Sequence, residues 1–220
     1  MAIQKQDLDR LMNECEVQLP GATRAGIRGV MFNVMDEFLT DSNTWMEMIP
    51  ISIGPNTQQY TITPAQGGQI KRLSQVIDMN GVVYPGLIID LQPPSATFWL
   101  TWPQNQPVAA NAQVFKSIVL PNQHEHVPDA PSWLVPQYER FIEAGIVGRM
   151  QMHKAKSYSD PVNGPINVKR LRDGIAMART QALRAYLYGG QAWRFPRNFR
   201  TNSQRGGVST PFPTPSTWGV

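Results

Sequence analysis

Val76-Ile77-Asp78-Met79-Asn80-Gly81-Val82-Val83-Tyr84 separates an α+β from an all-helical reading of this 220-residue chain. Apolar, mostly β-branched runs flank Asn80-Gly81, and a two-residue type I′ turn needs positive φ at both central positions, which Asn and Gly tolerate best. A β-hairpin is predicted there. Upstream, from Trp45, the apolar period is two: Ile49, Ile51 and Ile53 alternate with Met48, Pro50 and Ser52, and a turn at Gly54-Pro55-Asn56 leads to Tyr60 and Ile62. Downstream, strands are predicted at 96–102 and 113–120, separated by Pro93-Pro94 and by a polar loop over 103–111. Short strands at this spacing read as a small antiparallel sheet or sandwich.

On both sides of this region the period becomes helical. Ile3, Leu8, Leu11, Met12 and Cys15 form one stripe ended by Pro20-Gly21, and Ile27, Val30, Met31, Val34, Met35 and Phe38 form a second over 22–39, ended by Thr40-Asp41-Ser42-Asn43. After Pro128-Asp129-Ala130-Pro131, the residues Leu134, Tyr138, Phe141, Ile142, Gly145 and Met152 predict a third helix. Its Ala144, Gly145 and Gly148 make a narrow face on which another helix can approach closely. Pro165, placed for a helix N1 position, opens a fourth, whose buried stripe is Val168, Leu171, Ile175, Ala178, Ala182 and Ala185 and whose end is Gly189-Gly190. The expectation is an α+β protein: a bundle of about four helices with an inserted small antiparallel sheet or sandwich and an extended C-terminal arm. The predicted divisions are a helix pair at 1–44, a β insertion at 45–127, a second helix pair at 128–189 completing the helical body, and the arm at 190–220.

The formal net charge of +4 conceals an asymmetry: residues 1–168 hold 11 Lys/Arg against 15 Asp/Glu, whereas residues 169–220 hold 9 against 1. The basic C-terminal quarter calls for an acidic partner, either protein or nucleic-acid phosphate. From Gln191 periodicity is lost, yet Trp193, Phe195, Phe199, Phe212 and Trp218 are spread among Arg194, Arg197, Arg200 and Arg205. Five large aromatics are out of place in a solvated linker and suit anchoring in a partner's pockets. On the fourth helix Lys169, Arg170, Arg172, Arg179 and Arg184 oppose the apolar stripe; they are read either as a solvated face or as a face towards DNA.

Nothing in the chain spells out a catalytic centre. A phosphate-binding P-loop, a Gly-x-Ser-x-Gly elbow and a His-Glu-x-x-His motif are all missing from the sequence. His124-Glu125-His126 lacks a cysteine cluster to complete a zinc shell and reads as a polar loop. Asp36-Glu37 could be a carboxylate pair, but adjacent helical residues project about 100° apart, which favours a solvated helix end. Cys15, the single cysteine, lies between Glu14 and Glu16, which would raise its thiol pKa and blunt a nucleophile. No apolar run reaches the roughly 18 residues of a membrane span, and residues 1–6 have no signal-peptide h-region. No cofactor, metal or membrane association is expected, and the protein is expected not to be an enzyme.

Several stretches, taken in order, resemble the head-to-tail adaptor (head-tail connector) proteins of tailed bacteriophages and gene transfer agents. Leu19-Pro20-Gly21-Ala22, with Asp36-Glu37-Phe38-Leu39 and Trp45, is similar to that family's N-terminal hairpin, and Met79-Asn80-Gly81 to its central β-hairpin. Val127-Pro128-Asp129, Trp133-Leu134 and Phe141-Ile142-Glu143-Ala144-Gly145 resemble the start of its third helix. Arg149-Met150, Ser159-Asp160-Pro161 and Gly174-Ile175-Ala176-Met177-Ala178-Arg179 resemble the turn and fourth helix, and Trp193-Arg194-Phe195-Pro196-Arg197-Asn198-Phe199 the basic C-terminal segment. The resemblance covers about residues 8–200, and 207–220 match nothing in that pattern. It implies a homo-oligomeric ring, commonly a dodecamer, made in the host cytoplasm and placed at the head-tail junction of a virion. The ring would lie beneath the portal protein, meet a downstream tail or nozzle protein and pass DNA transiently through its channel. It further implies portal docking through Trp193, Arg194, Phe195, Arg197, Phe199 and Arg200. The competing expectations are a DNA-binding protein that grips phosphate with its basic tail and, more remotely, a hydrolase without a recognisable motif.

Overall fold

The computed structural model describes residues 3–54, 58–65, 67–84, 86–100, 107–119 and 128–188, of which 185–188 are described for the backbone alone. The chain divides into two units, Met1–Ala182 and Leu183–Val220. Four α-helices and seven strands are described: α1 (Lys5–Gln18), α2 (Arg24–Ser42), β1 (Met46–Ile53), β2 (Gln59–Ile62), β3 (Gln69–Asp78), β4 (Val83–Tyr84), β5 (Gly86–Gln92), β6 (Ser95–Leu100), β7 (Val108–Ser117), α3 (Leu134–Gln151) and α4 (Asn163–Tyr188). This is the α+β class expected from the alternation of periods.

The helical stripes meet in one core. Leu8, Leu11, Met12 and Cys15 of α1, Ile27, Met31, Val34, Met35 and Phe38 of α2, Ile142, Ile146 and Met150 of α3, and Leu171 and Ala178 of α4 are buried together. Thr23 caps α2 by accepting from the Gly26 N–H, and Asn43, left-handed at φ 55°, ends it three residues beyond the predicted stop by donating its N–H to Leu39 O. At the start of α4, Asp160 Oδ1 accepts the N–H groups of Val162 and Asn163. That cap sets the helix start at Asn163, so Pro165 is its third residue rather than its first. A Cβ on Gly148 would stand 2.8 Å from Val168 N and 2.9 Å from Gly164 O, so the absent side chain lets the first turn of α4 lie directly on α3.

The β region forms two antiparallel sheets, ordered β1-β7-β3-β4 and β2-β6-β5. Ile49, Ile53, Ile62, Val76, Phe98, Leu100, Ala112 and Val114 make their shared core. The region leaves and rejoins the helical part through the paired strands β1 and β7, whose Met46 and Phe115 are in register, so its two ends lie side by side. Trp45 and Ile118, just outside that stem, belong to the helical core.

Three expectations for the strands are corrected. The β3–β4 hairpin exists, with Val76 opposite Tyr84, but its turn is not type I′. Among the described residues only Asn43 and Ala155 have positive φ besides glycines, so Asn80 does not, while Gly81 is at φ 79°. Gly81 N–H donates to Asp78 O, and the Asp78 carboxylate accepts from Asn80 N, Val82 N and the Tyr84 hydroxyl. A bonding Asp one residue before the loop thus selects a three-residue turn closed by a bulge at Gly81. Strand β7 begins at Val108, inside the segment expected to be a loop; its Ala110 and Ala112 face inward, and so small an apolar period is easily taken for none. Strand β5 was hidden because it has little alternation: most of it is exposed, and a bulge interrupts its pairing with β6 between Ile88 and Asp90.

Candidate functional site

The basic side of α4 is the best-defined candidate surface. Leu171, Gly174, Ala178 and Ala182 are buried, whereas Lys169, Arg170, Arg172, Arg179 and Arg184 are all exposed, with Asp173 the one acid among them. Two of the five have local work: Arg179 Nε donates to Asp41 O at the end of α2, 2.9 Å away, and Arg170 Nη1 donates to Asn167 Oδ1 at 3.3 Å. The helix is held in place by Gly174 against the Phe141 ring, by Tyr138 donating its hydroxyl to Gln181 Oε1 at 3.1 Å, and by Asn167 Nδ2 donating to Gln151 Oε1 at 3.0 Å. The exposed side also carries Ile166 and Met177. The docking residues expected on the arm, Trp193, Arg194, Phe195, Arg197, Phe199 and Arg200, lie outside the described residues, as does His124-Glu125-His126.

Asp36 and Glu37 turn to separate partners. Asp36 Oδ1 accepts from the Ser117 hydroxyl at 2.6 Å and lies 3.4 Å from Lys71 Nζ, while Glu37 pairs with Arg149, whose guanidinium is pulled below its ordinary pKa by burial. They fasten α2 to β7, β3 and α3 instead of forming one acid/base centre. Among the described residues, no group of three or more His, Cys, Asp or Glu is arranged to hold a metal ion.

Sequence reasoning missed two charged features. The first is Lys116, fully buried, with Nζ 2.7 Å from Glu47 Oε2, donating to Gly67 O at 2.9 Å and lying 4.2 Å from the centroid of the Trp45 ring. It stiffens the stem where the β region meets the helices. Its signal, a Lys within an apolar alternation, gives no hint of a partner 69 residues earlier in the chain. The second is an acidic seam between α1 and α3. Burial, together with Glu14 and Glu139, holds the Glu143 carboxyl above its usual range, although Gln18 donates to it. Beneath the seam, burial and then Glu143, Glu14 and Glu16 push the Cys15 thiol up to about 12. This part of the expectation from sequence was correct in direction, but the largest cause is burial. Arg10 pairs with Glu139, and Arg24 with Asp9 and Glu16, along the rims of the seam.

A third surface is apolar. Leu87 and Trp99 are opposite each other on β5 and β6 and both exposed, as are Val82 just before β4, Val83 on β4 and Ile89 on β5. Among the described residues, no helix is long and apolar enough to cross a membrane. No protein-family model matches the chain, and neither does any curated protein.

Proposed function

We propose that this chain is a structural head-to-tail adaptor of a tailed phage virion or gene transfer agent. Copies form a ring beneath the portal protein, and the ring's channel conducts DNA towards a downstream tail or nozzle protein at the head-tail junction. The observation that carries the reading is the one-sided charge of the C-terminal quarter. Its cations begin on the exposed side of a helix packed into the bundle and continue into an arm where arginine alternates with aromatic residues. A ring needs such a division of labour, with a rigid body to repeat and a separate segment to attach.

In this reading Trp193, Phe195 and Phe199 are apolar anchors in the portal, and Arg194, Arg197 and Arg200 bond its acidic groups. The exposed basic side of α4, which carries Lys169, Arg170, Arg172, Arg179 and Arg184, is the surface offered to DNA in the channel. The test is a pull-down of a portal protein from the same virion, using the full chain and a chain cut after Gly190, with circular dichroism confirming that both fold. The full chain binds and the truncated one does not; equal binding by both refutes the docking role of the arm.

The basic α4 also favours a second reading, a protein that grips DNA directly. Its distinguishing property is affinity for naked duplex DNA that falls steeply with salt, because each phosphate contact releases counterions.

A further inference from the structure

We infer that neighbouring copies of this chain meet head to tail through the outer side of α4 in one copy, at Lys169, Arg170 and Met177, and the α1/α3 seam of the next, at Glu14, Val17 and Glu143. The inference rests on the ring reading and assigns its subunit contact.

The two faces lie on opposite flanks of the helical body. Phe141 and Gly145 of α3 pack against Gly174 and Leu171 of α4. Glu143 sits between them in sequence, two residues from each, and with about 100° of turn per residue its side chain leaves the opposite side of α3. There it meets Gln18 of α1, and Glu139, four residues before it on the same side, pairs with Arg10 of α1. Faces on opposite flanks make a heterologous contact, the kind that repeats from copy to copy and closes a ring when the rotation allows.

Their chemistry is complementary. The seam gathers Glu14, Glu143 and Glu139, the last already paired with Arg10, and burial followed by this crowding holds Glu143 above its ordinary range; a cation from outside would relieve it. The outer side of α4 offers Lys169 and Arg170 against the single acid Asp173. Each face also exposes apolar side chains: Val17, 83% exposed, on α1, and Ile166 and Met177 on α4, the latter two spaced to share one stripe with Arg170. Phosphate has no use for these apolar groups, whereas the centre of a protein interface does. In the ring Lys169 and Arg170 therefore face the neighbouring copy, which narrows the surface left for DNA in the channel to Arg172 and Arg179 on the other side of the helix.

The test uses the full chain carrying V17C and M177C, oxidised with copper phenanthroline at high protein concentration and run on a non-reducing gel. Native Cys15 is buried and stays out of the reaction. A ladder of dimers, trimers and higher species is expected, with none from V17C or M177C alone. Adding K169E and R170E should suppress the ladder at least tenfold, and mixing that chain with one carrying E14K and E143K besides the two cysteines should restore it. Absence of the ladder, or dimers from M177C alone, overturns the inference. If the ladder fails while portal-bound particles still show a ring, the copies meet elsewhere and the ring reading survives. If the ladder forms and the portal is not bound, the adaptor reading falls and the self-contact stands.

Discussion

Replacing Gly148 by alanine isolates the contact on which the placement of α4 depends. The added methyl would stand 2.8 Å from Val168 N, 2.9 Å from Gly164 O and 2.9 Å from Asn167 Cβ. Two of these three atoms are backbone in the first two turns of α4, whose start Asp160 fixes, so no side chain can swing aside. Overpacking costs about 1–3 kcal/mol, about 2–3 kcal/mol where the obstructing atoms are backbone and cannot swing aside, and alanine recovers about 1 kcal/mol of helix propensity, leaving a net loss of about 1–2 kcal/mol. Gly29 is the control: it is an exposed residue inside α2, and a Cβ there meets nothing within 4 Å. Gly29→Ala should therefore gain about 0.5–1 kcal/mol. Urea denaturation followed by circular dichroism reads both as shifts of the midpoint in opposite directions at unchanged slope. If Gly148→Ala matches or exceeds the parent in stability while Gly29→Ala behaves as stated, α4 does not lie on α3 as described.

Lys116→Met should cost about 3–5 kcal/mol because Glu47 is left buried and uncompensated, and Lys116→Met with Glu47→Gln should recover part of it; chemical denaturation checks both. Glu143 has a folded-state pKa above its unfolded value, so the folded state binds more protons between the two, and stability falls as pH rises from the ordinary glutamate range through the raised value. Glu143→Gln should remove that fall, which thermal melts across pH 4–7 would reveal, and an unchanged profile would refute it. Cys15, buried and with its thiol raised to about 12, should resist iodoacetamide in the folded protein at about pH 8 and react on unfolding. Mass spectrometry after timed exposure reads this directly, and rapid labelling of the native chain would contradict the burial. The free chain should be monomeric or weakly associated and close into a ring on its portal template, which sedimentation with and without portal would test.

The helices were legible because their stripes are made of large apolar residues at spacings of three and four, and nothing but burial accounts for Leu8, Leu11, Met12 and Cys15 on one line. The hairpin at Asn80-Gly81 was legible as a hairpin, but its turn type was set by the carboxylate of Asp78, a side-chain acceptor that positional preferences for Asn and Gly do not weigh. The extent of β7 was hidden because Ala110 and Ala112 signal inward positions only faintly, and β5 because it exposes Leu87 and Ile89 on an outer surface where alternation carries no burial. For the candidate surfaces, the cations of α4 could be read from their one-sided placement. The α1/α3 seam could not, because Glu14 and Glu143 are far apart in sequence and only the fold makes them neighbours. The same holds for Lys116 and Glu47.

In the proposed reading this chain forms the ring between portal and tail. Imaging virions that carry an electron-dense label fused to this protein, by electron microscopy with averaging along the tail axis, tests it most directly. Label should be confined to the neck, directly beneath the portal, with rotational symmetry about a central channel. Label distributed over the capsid shell or along the tail, or absent from particles that are otherwise complete, would contradict it.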